Sequence, residues 1–272
     1  MNKKIILIIL CTVFTSVLMA QKHNIVNASI ALKNENYSDA KKYIDEAYSN
    51  ESTSNSAKMW NYRAPIYLQI AIKDSELDND AILKATEAHI KCLQEDKKGR
   101  VIVRKWTNKE DIISGVVNCA YKLFNLAIEE FNAANYERAI QLYTAIFDII
   151  PFDEENQLKR GNISKETILF NSFFASKKMN DNVKSKDLLQ QLIDMNFNEP
   201  SIFIHMSNIF IEEGNTDQAI NYLNLGRDMF EDDQSLINTE INLYIQLGRT
   251  TELIAKLSEA IELDPENDLL YF

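Results

Sequence analysis

The feature that most limits what this chain can fold into is a spacing. Gly214 and Gly248 stand 34 residues apart, and so do Ala219 and Leu253, and Gly226 and Ala260. Each set lies in a like run, "EEGNTDQAINYLNLG" and then "QLGRTTELIAKLSEAIELDP". Ser185, in "NVKSKDLLQQLI", lies a further 34 residues before Ala219. A fixed period of this length implies stacked helical units, because one unit cannot bury its apolar face alone. The small residues have a mechanical cause. Where two helices cross closely, Ala, Gly or Ser lets the backbones approach, and larger side chains fill the gaps around them. Gly214 and Gly248 fall between the helices of a pair, where a left-handed residue commonly ends a helix. Asn215 with Gln218 reads as a capping box opening the next helix.

The same frame runs toward the N-terminus. "EEFNAANYERAIQLYTAIFDIIP" sets Tyr136, Ala139 and Ile146 on one helical face and stops at Pro151. "NYSDAKKYIDEA" gives Tyr37, Ala40 and Ala47. "MWNYRAPIYLQIA" followed by "DAILKATEAHI" gives Trp60, Ala64, Tyr67, Ala81 and Ala88. Trp60, Ala64 and Tyr67, together with the period, resemble the tetratricopeptide repeat family, and the resemblance covers nearly all of residues 21–272. It implies an all-α fold, a right-handed superhelix (α-solenoid) of about six antiparallel helix pairs. One unit, over 166–198, departs from the family pattern by placing Phe173 where a small residue is preferred. Measured against the ~34-residue period, the spacings leave roughly 7, 24 and 12 extra residues at three places. The largest excess is "QEDKKGRVIVRKWTNKED", residues 94–111. The expected organisation is a signal peptide at 1–20, two repeats over 21–99, a basic insert at 100–109, and repeats three to six over 110–272. The closing "DPENDLLYF" restarts the frame at Tyr271 with no polar capping helix, which reads as the start of a truncated seventh repeat. A face formed by Leu253, Leu257 and Ile261 is then expected to be uncovered.

The first residues, "MNKKIILIILCTVFTSVLMAQ", have the layout of a secretory signal: Lys3 and Lys4, an uncharged apolar core, and Ala20 at the cut. The apolar run is shorter than the ~20 residues a spanning helix needs. Membrane association is therefore expected only through an uncleaved signal, and the expected location is periplasmic or secreted, in a Gram-negative cell envelope. Cys92 and Cys119 are the cysteines beyond that segment, too few for a disulfide-stapled scaffold. They suit either one bridge between neighbouring helices or two small core positions.

Composition excludes some classes of function. A net charge of -11 argues against nucleic acid as the partner, because that needs a basic face. Six glycines and four prolines in 272 residues argue for long helices over a turn-rich β fold. The sequence has no Gly-rich phosphate loop, no nucleophile elbow and no H-E-x-x-H helix. His23, His89 and His205 are far apart, and His89 with Cys92 has no second ligand pair nearby. No enzyme, cofactor, metal site or small-molecule substrate is expected. The 94–111 run gathers Lys97, Lys98, Arg100, Arg104, Lys105 and Lys109 around Trp106. That cluster reads either as a contact patch for an acidic partner or as a loop anchored by Trp106 after a helix end.

Stacked pairs of this family bind protein segments in a concave groove lined by the first helix of each repeat. Transferring the family's groove positions by resemblance places Asn61 and Tyr62 there in the second repeat and Asn125 in the third. Asn171 follows in the fourth, His205 and Asn208 in the fifth, and Asn238 and Asn242 in the sixth. An asparagine amide both donates and accepts, so it can pair with a peptide backbone without reading its sequence. The basic set with which some family members clamp a C-terminal carboxylate is mostly missing; Lys58 alone stands at such a place. The expected function is a non-catalytic scaffold holding a peptide or protein segment. The alternative is an assembly or secretion-complex component at the outer membrane, using its convex surface and the 94–111 insert. Pro65 is expected to kink the first helix of the second repeat.

Overall fold

The computed structural model describes residues 23–263. The signal-peptide reading and the restart at Tyr271 fall outside the described residues. The chain divides into two compact units between Lys165 and Glu166.

The first unit contains α1 (23–33), α2 (Tyr37–Ser49), α3 (Ala57–Lys73), α4 (Ala81–Cys92), α5 (Lys109–Asn132), α6 (Tyr136–Phe147) and the single turn α7 (Gln157–Arg160). The second contains α8 (Lys165–Lys178), α9 (Asn182–Asp194), α10 (Ser201–Glu212), α11 (Thr216–Met229), α12 (Gln234–Gln246) and α13 (Thr250–Leu263). Consecutive helices pair: α3 with α4, α5 with α6, α10 with α11 and α12 with α13. Within each unit the second helix of a pair also packs on the first helix of the next, as α2 on α3 and α4 on α5 in the first, and α9 on α10 and α11 on α12 in the second. Among the described residues that makes six antiparallel pairs, and the only extended pairing is one isolated bridge, Glu95 to Val101.

The turns between paired helices repeat one device. In five of these turns the second residue after the first helix takes a left-handed conformation, and in three of them the next residue's side chain caps the second helix. The left-handed residues are Glu35, Ala134, Asn180, Gly214 and Gly248, with φ between 56° and 75°. Asn36, Asp181 and Asn215 then each accept a hydrogen bond from a backbone N–H three residues on. Such a cap satisfies one of the donors a helix N-terminus leaves without a partner.

The positions that define the period are buried at Ala40, Ala47, Ala64, Ala81, Ala88, Ala139, Ser185 and Ala219. Gly226 is also closely packed: a Cβ there would lie 2.9 Å from both Phe203 Cβ and Leu236 Cδ2. Ser185 and Ser176 exchange a hydroxyl hydrogen bond of 2.8 Å across α8 and α9, and Ser176 also donates to the Phe173 carbonyl. Phe173, the departure in the fourth repeat, is fully buried and packs beside Phe170 and Phe174. The helix pair therefore forms around the larger residue.

Three places bear on the sequence expectations. Leu257 and Ile261 are partly covered, packing on Ile237 of α12, while Ile254 of α13 is exposed. Pro65 sits inside α3, which continues through it for two further turns to Lys73. The 94–111 run is folded. Asp96 N–H donates to the Arg100 carbonyl and Ile102 N–H to the Gln94 carbonyl, with Gly99 at φ 68° supplying the reversal. Val101 and Val103 are buried beneath it. This hairpin lies within the first unit, between α4 and α5, which pack on each other.

A charged cluster ties α2, α3 and the segment before α4 together. Arg63, 4% exposed, donates to Asp45 Oδ1 at 2.6 Å, and the Tyr67 hydroxyl donates to the same oxygen at 2.6 Å. The guanidinium lies over the rings of Tyr48 and Tyr67, 4.1 and 4.5 Å from their centroids. Asp78 takes Lys84 at 2.7 Å and Lys41 at 3.4 Å. Burial, followed by the hydrogen bond to Asp45, pushes the Tyr67 hydroxyl far above its usual titration range.

Candidate functional site

In the first unit, Asn61 and Tyr62 share a cleft of about 350 Å³. Both come from α3, the first helix of its pair. Leu32 and Lys33 of α1 form one side, and Asp111 and Ile112 of α5 another. Trp106 and Thr107, from the end of the folded insert, close it. The floor is Ala64, Pro65, His89 and Cys92. Among the described residues, neither the Asn61 nor the Tyr62 side chain has a hydrogen-bond partner, so both remain available to a ligand. Trp106 is 41% exposed, large for an indole that nothing requires to face water.

His89 is fixed. Its Nδ1 lies 2.8 Å from the Ala85 carbonyl and 3.6 Å from Cys119 Sγ. Burial holds its pKa below the usual histidine range, so the ring is neutral at pH 7. With Nδ1–H donated to Ala85, Nε2 keeps its lone pair. The ring packs against Gly115, where a Cβ would come within 2.3 Å of Nε2. Cys92 and Cys119 are free and buried, and burial pushes both thiols up to about 12. Thiols held protonated in this way are poor nucleophiles and poor metal ligands. Among the described residues no group of three His, Cys, Asp or Glu side chains is placed to hold a metal ion.

Asn125 is exposed on α5, thirteen residues beyond Ile112, about 20 Å along the axis at 1.5 Å per residue. It is not part of the cleft. Half of the insert's basic residues are paired. Asp96 takes both Arg100 (2.8 Å) and Arg104 (3.2 Å), and Lys109 reaches Glu154 at 3.5 Å. Lys97, Lys98 and Lys105 remain exposed.

The second unit places its candidates on α8, α10 and α12. His205 packs on Phe173 and Phe174, with centroids 5.0 and 5.8 Å away, and accepts from Lys177 at 3.3 Å. Asn171 stands three residues before Phe174, and Asn208 three after His205, so each shares a helix face with that contact. Asn238 and Asn242 are exposed one turn apart on α12. Burial first, and the Lys177 charge second, lower the His205 pKa to about 4. Because the folded value lies below the unfolded one, this group's contribution is present above about pH 6.5 and is lost as pH falls toward 4. A proton NMR titration of the ring should therefore show a midpoint near pH 4, and Lys177→Met should raise it. A midpoint at the ordinary histidine value would refute this placement of the ring.

Sequence reasoning missed the convergence of the frame residues with the insert. Trp106 was legible as an anchor and Pro65 as an anomaly, but nothing in the period says that both line one cleft with Asn61.

Helix pairs on a 34-residue period, stacked within each unit and with buried Ala, Ser or Gly at the frame positions, define a tetratricopeptide-type repeat fold. No protein-family model matches the sequence, and no curated protein matches it. Solved structures similar to the chain include three tetratricopeptide or pilus proteins. One is PilW, a type IV pilus biogenesis factor, at 12% identity over 93% of this chain and 97% of PilW, with a TM-score of 0.42. Another is the C-terminal part of a TPR repeat-containing protein from Cytophaga hutchinsonii, at 14% identity over 91% and 98%, with a TM-score of 0.41. The third is YrrB, described as a TPR protein with an unusual peptide-binding site, at 15% identity over 56% and 73%, with a TM-score of 0.38.

Proposed function

We propose that the chain is a non-catalytic scaffold that captures a peptide or protein segment, with the Asn61–Tyr62 cleft of the first unit as its principal contact. The observation that carries this reading is the cleft itself. Two polar side chains without protein partners stand in it beside a half-exposed indole. A few convergent polar groups in a mainly apolar recess are the usual make-up of a binding site. Asn171, His205 and Asn208 on the second unit, Asn238 and Asn242 beyond them, and Asn125 on α5 are further contacts in this proposal. The setting is the cell envelope, which rests on the N-terminal sequence; no helix among the described residues is long and apolar enough to cross a membrane.

The assembly reading has its own support. A second cleft, about 510 Å³, lies between α4 and α6 and is lined by Leu83, Ile90, Phe147 and Phe152 among others. Crosslinking a tagged full chain in its native envelope distinguishes the two. Paired Asn61→Ala and Tyr62→Ala should cut capture of the crosslinked partner at least tenfold, while Leu83→Glu leaves it intact. The reverse pattern would move the contact to the α4–α6 side.

A further inference from the structure

The chain's charge is unevenly placed. Residues 1–165 hold twenty-two Lys and Arg against twenty-one Asp and Glu, whereas residues 166–272 hold seven against nineteen. The first unit is therefore almost neutral, and the second carries -12 of the whole chain's -11. Within that acidic unit, α11 turns an apolar pair outward. Leu225 and Met229, one turn apart, are 41% and 43% exposed. Leu225 stands six residues after Ala219, and six residues after Ala40, Ala81, Ser185 and Leu253 stand Glu46, Glu87, Gln191 and Glu259. In α6 the same place holds Ala145, so α11 alone puts a large apolar side chain there. Asp228 adjoins Met229, and Glu231 and Asp232 follow within three residues; all three are exposed. Among the described residues their carboxylates have no hydrogen bond or ion pair. The neighbouring base, Arg227, is turned inward, its Nε 3.8 Å from the buried Glu240 carboxylate. An exposed apolar pair beside free charge is the make-up of a contact surface.

A matching counterpart lies on the same sequence. The hairpin over 94–106 sets five bases against Glu95 and Asp96. Arg100 and Arg104 share Asp96, which leaves Lys97, Lys98 and Lys105 exposed without an ion pair. Trp106, 41% exposed, follows Lys105 directly. Three free bases and an indole thus answer three free carboxylates and an apolar pair. Charge also selects between the two ways copies could meet. A contact of α11 with the α11 of another copy would set like charges face to face, whereas hairpin on α11 pairs opposite signs. The like net charge of two copies is screened beyond about 8 Å at physiological salt, and groups in contact are screened far less. We infer that the α11 face docks the 94–106 hairpin of a second copy of this chain. The three lysines meet Asp228, Glu231 and Asp232, and Trp106 covers Leu225 and Met229. This self-association is separate from peptide capture, although Trp106 borders that cleft as well.

Sedimentation equilibrium of the purified full chain, from low to high micromolar at physiological salt, tests it. The average mass should rise with concentration above that of one chain. Asp228→Lys, Glu231→Lys and Asp232→Lys made together should hold the protein monomeric, and so should Lys97→Glu, Lys98→Glu and Lys105→Glu made together. All six side chains are exposed, so neither variant disturbs packing. Mixing the two variants should restore association, because the unaltered hairpin of one then meets the unaltered carboxylates of the other. Leu225→Gln, which copies the residue α9 carries at that place, should weaken association roughly tenfold or more through lost apolar burial. A mass that stays at one chain throughout overturns the inference. So do charge variants that remain monomeric when mixed, and so does association that survives the α11 variant. None of these results touches the peptide-capture reading, which stands or falls on crosslinking with Asn61→Ala and Tyr62→Ala.

Discussion

Replacing Asp45 with alanine should cost the first unit about 3 kcal/mol, the lower end of the range for removing one partner of a buried ion pair. The loss falls on two groups at once. Arg63 is 4% exposed and would keep its charge with no carboxylate, and the buried Tyr67 hydroxyl would lose its acceptor. The figure stays at the lower end because the Asp45 side chain is already 34% exposed, so water can replace part of what it gives. Asp45→Asn should recover roughly half, since the amide oxygen still accepts from Tyr67. Both tryptophans, Trp60 and Trp106, lie in the first unit, so urea unfolding followed by tryptophan fluorescence reports on this unit. A loss under about 1 kcal/mol would mean that solvent reaches Arg63 freely and that the cluster is only a surface pair.

Gly226→Leu should have a comparable effect in the second unit, about 3 kcal/mol, from overpacking. The added atoms have no space: the position of the first carbon is already 2.9 Å from Phe203 and from Leu236. Gly226→Ala separates crowding from helix propensity. Alanine gains about 1 kcal/mol in a helix interior over glycine, but its Cβ meets the same two contacts, so the two effects should nearly cancel. This unit holds no tryptophan, so the part of the circular dichroism change at increasing urea that tryptophan fluorescence does not follow reports on it. If Gly226→Leu proved neutral, the crossing of α10, α11 and α12 would have to be looser than it is here.

The fold was legible because its period is written in residue size. Ala40, Ala64, Ala139, Ser185 and Ala219 are buried small residues and Gly226 has no room for a larger one, and a constraint of that kind leaves a trace in sequence. The turns left less of one. Gly214 and Gly248 announce left-handed residues, but Glu35, Ala134 and Asn180 adopt the same conformation unannounced. There the packing of the two helices forces the turn and overrides local preference, a cost of about 1–2 kcal/mol for a non-glycine residue. The candidate site was half legible. The repeat frame located Asn61 and Tyr62, and it placed Asn125 with them as though every repeat faced one groove alike. The cleft depends instead on the hairpin between α4 and α5, which lies outside the period and has no counterpart in the other repeats.

That hairpin also gives the two units different responses to acid. Hydrogen bonds from Arg100 and from the Lys98 N–H hold the Asp96 pKa near 2, so its hold on Arg100 and Arg104 is lost only as pH falls through that value. His205 takes up its proton near pH 4, at the centre of the second unit's aromatic cluster. Between those two values the mount of Trp106 keeps its ionic clasp while the Phe173–His205 contact carries an added charge. As pH falls, the ionic clasp that mounts Trp106 is therefore expected to outlast the neutral form of His205.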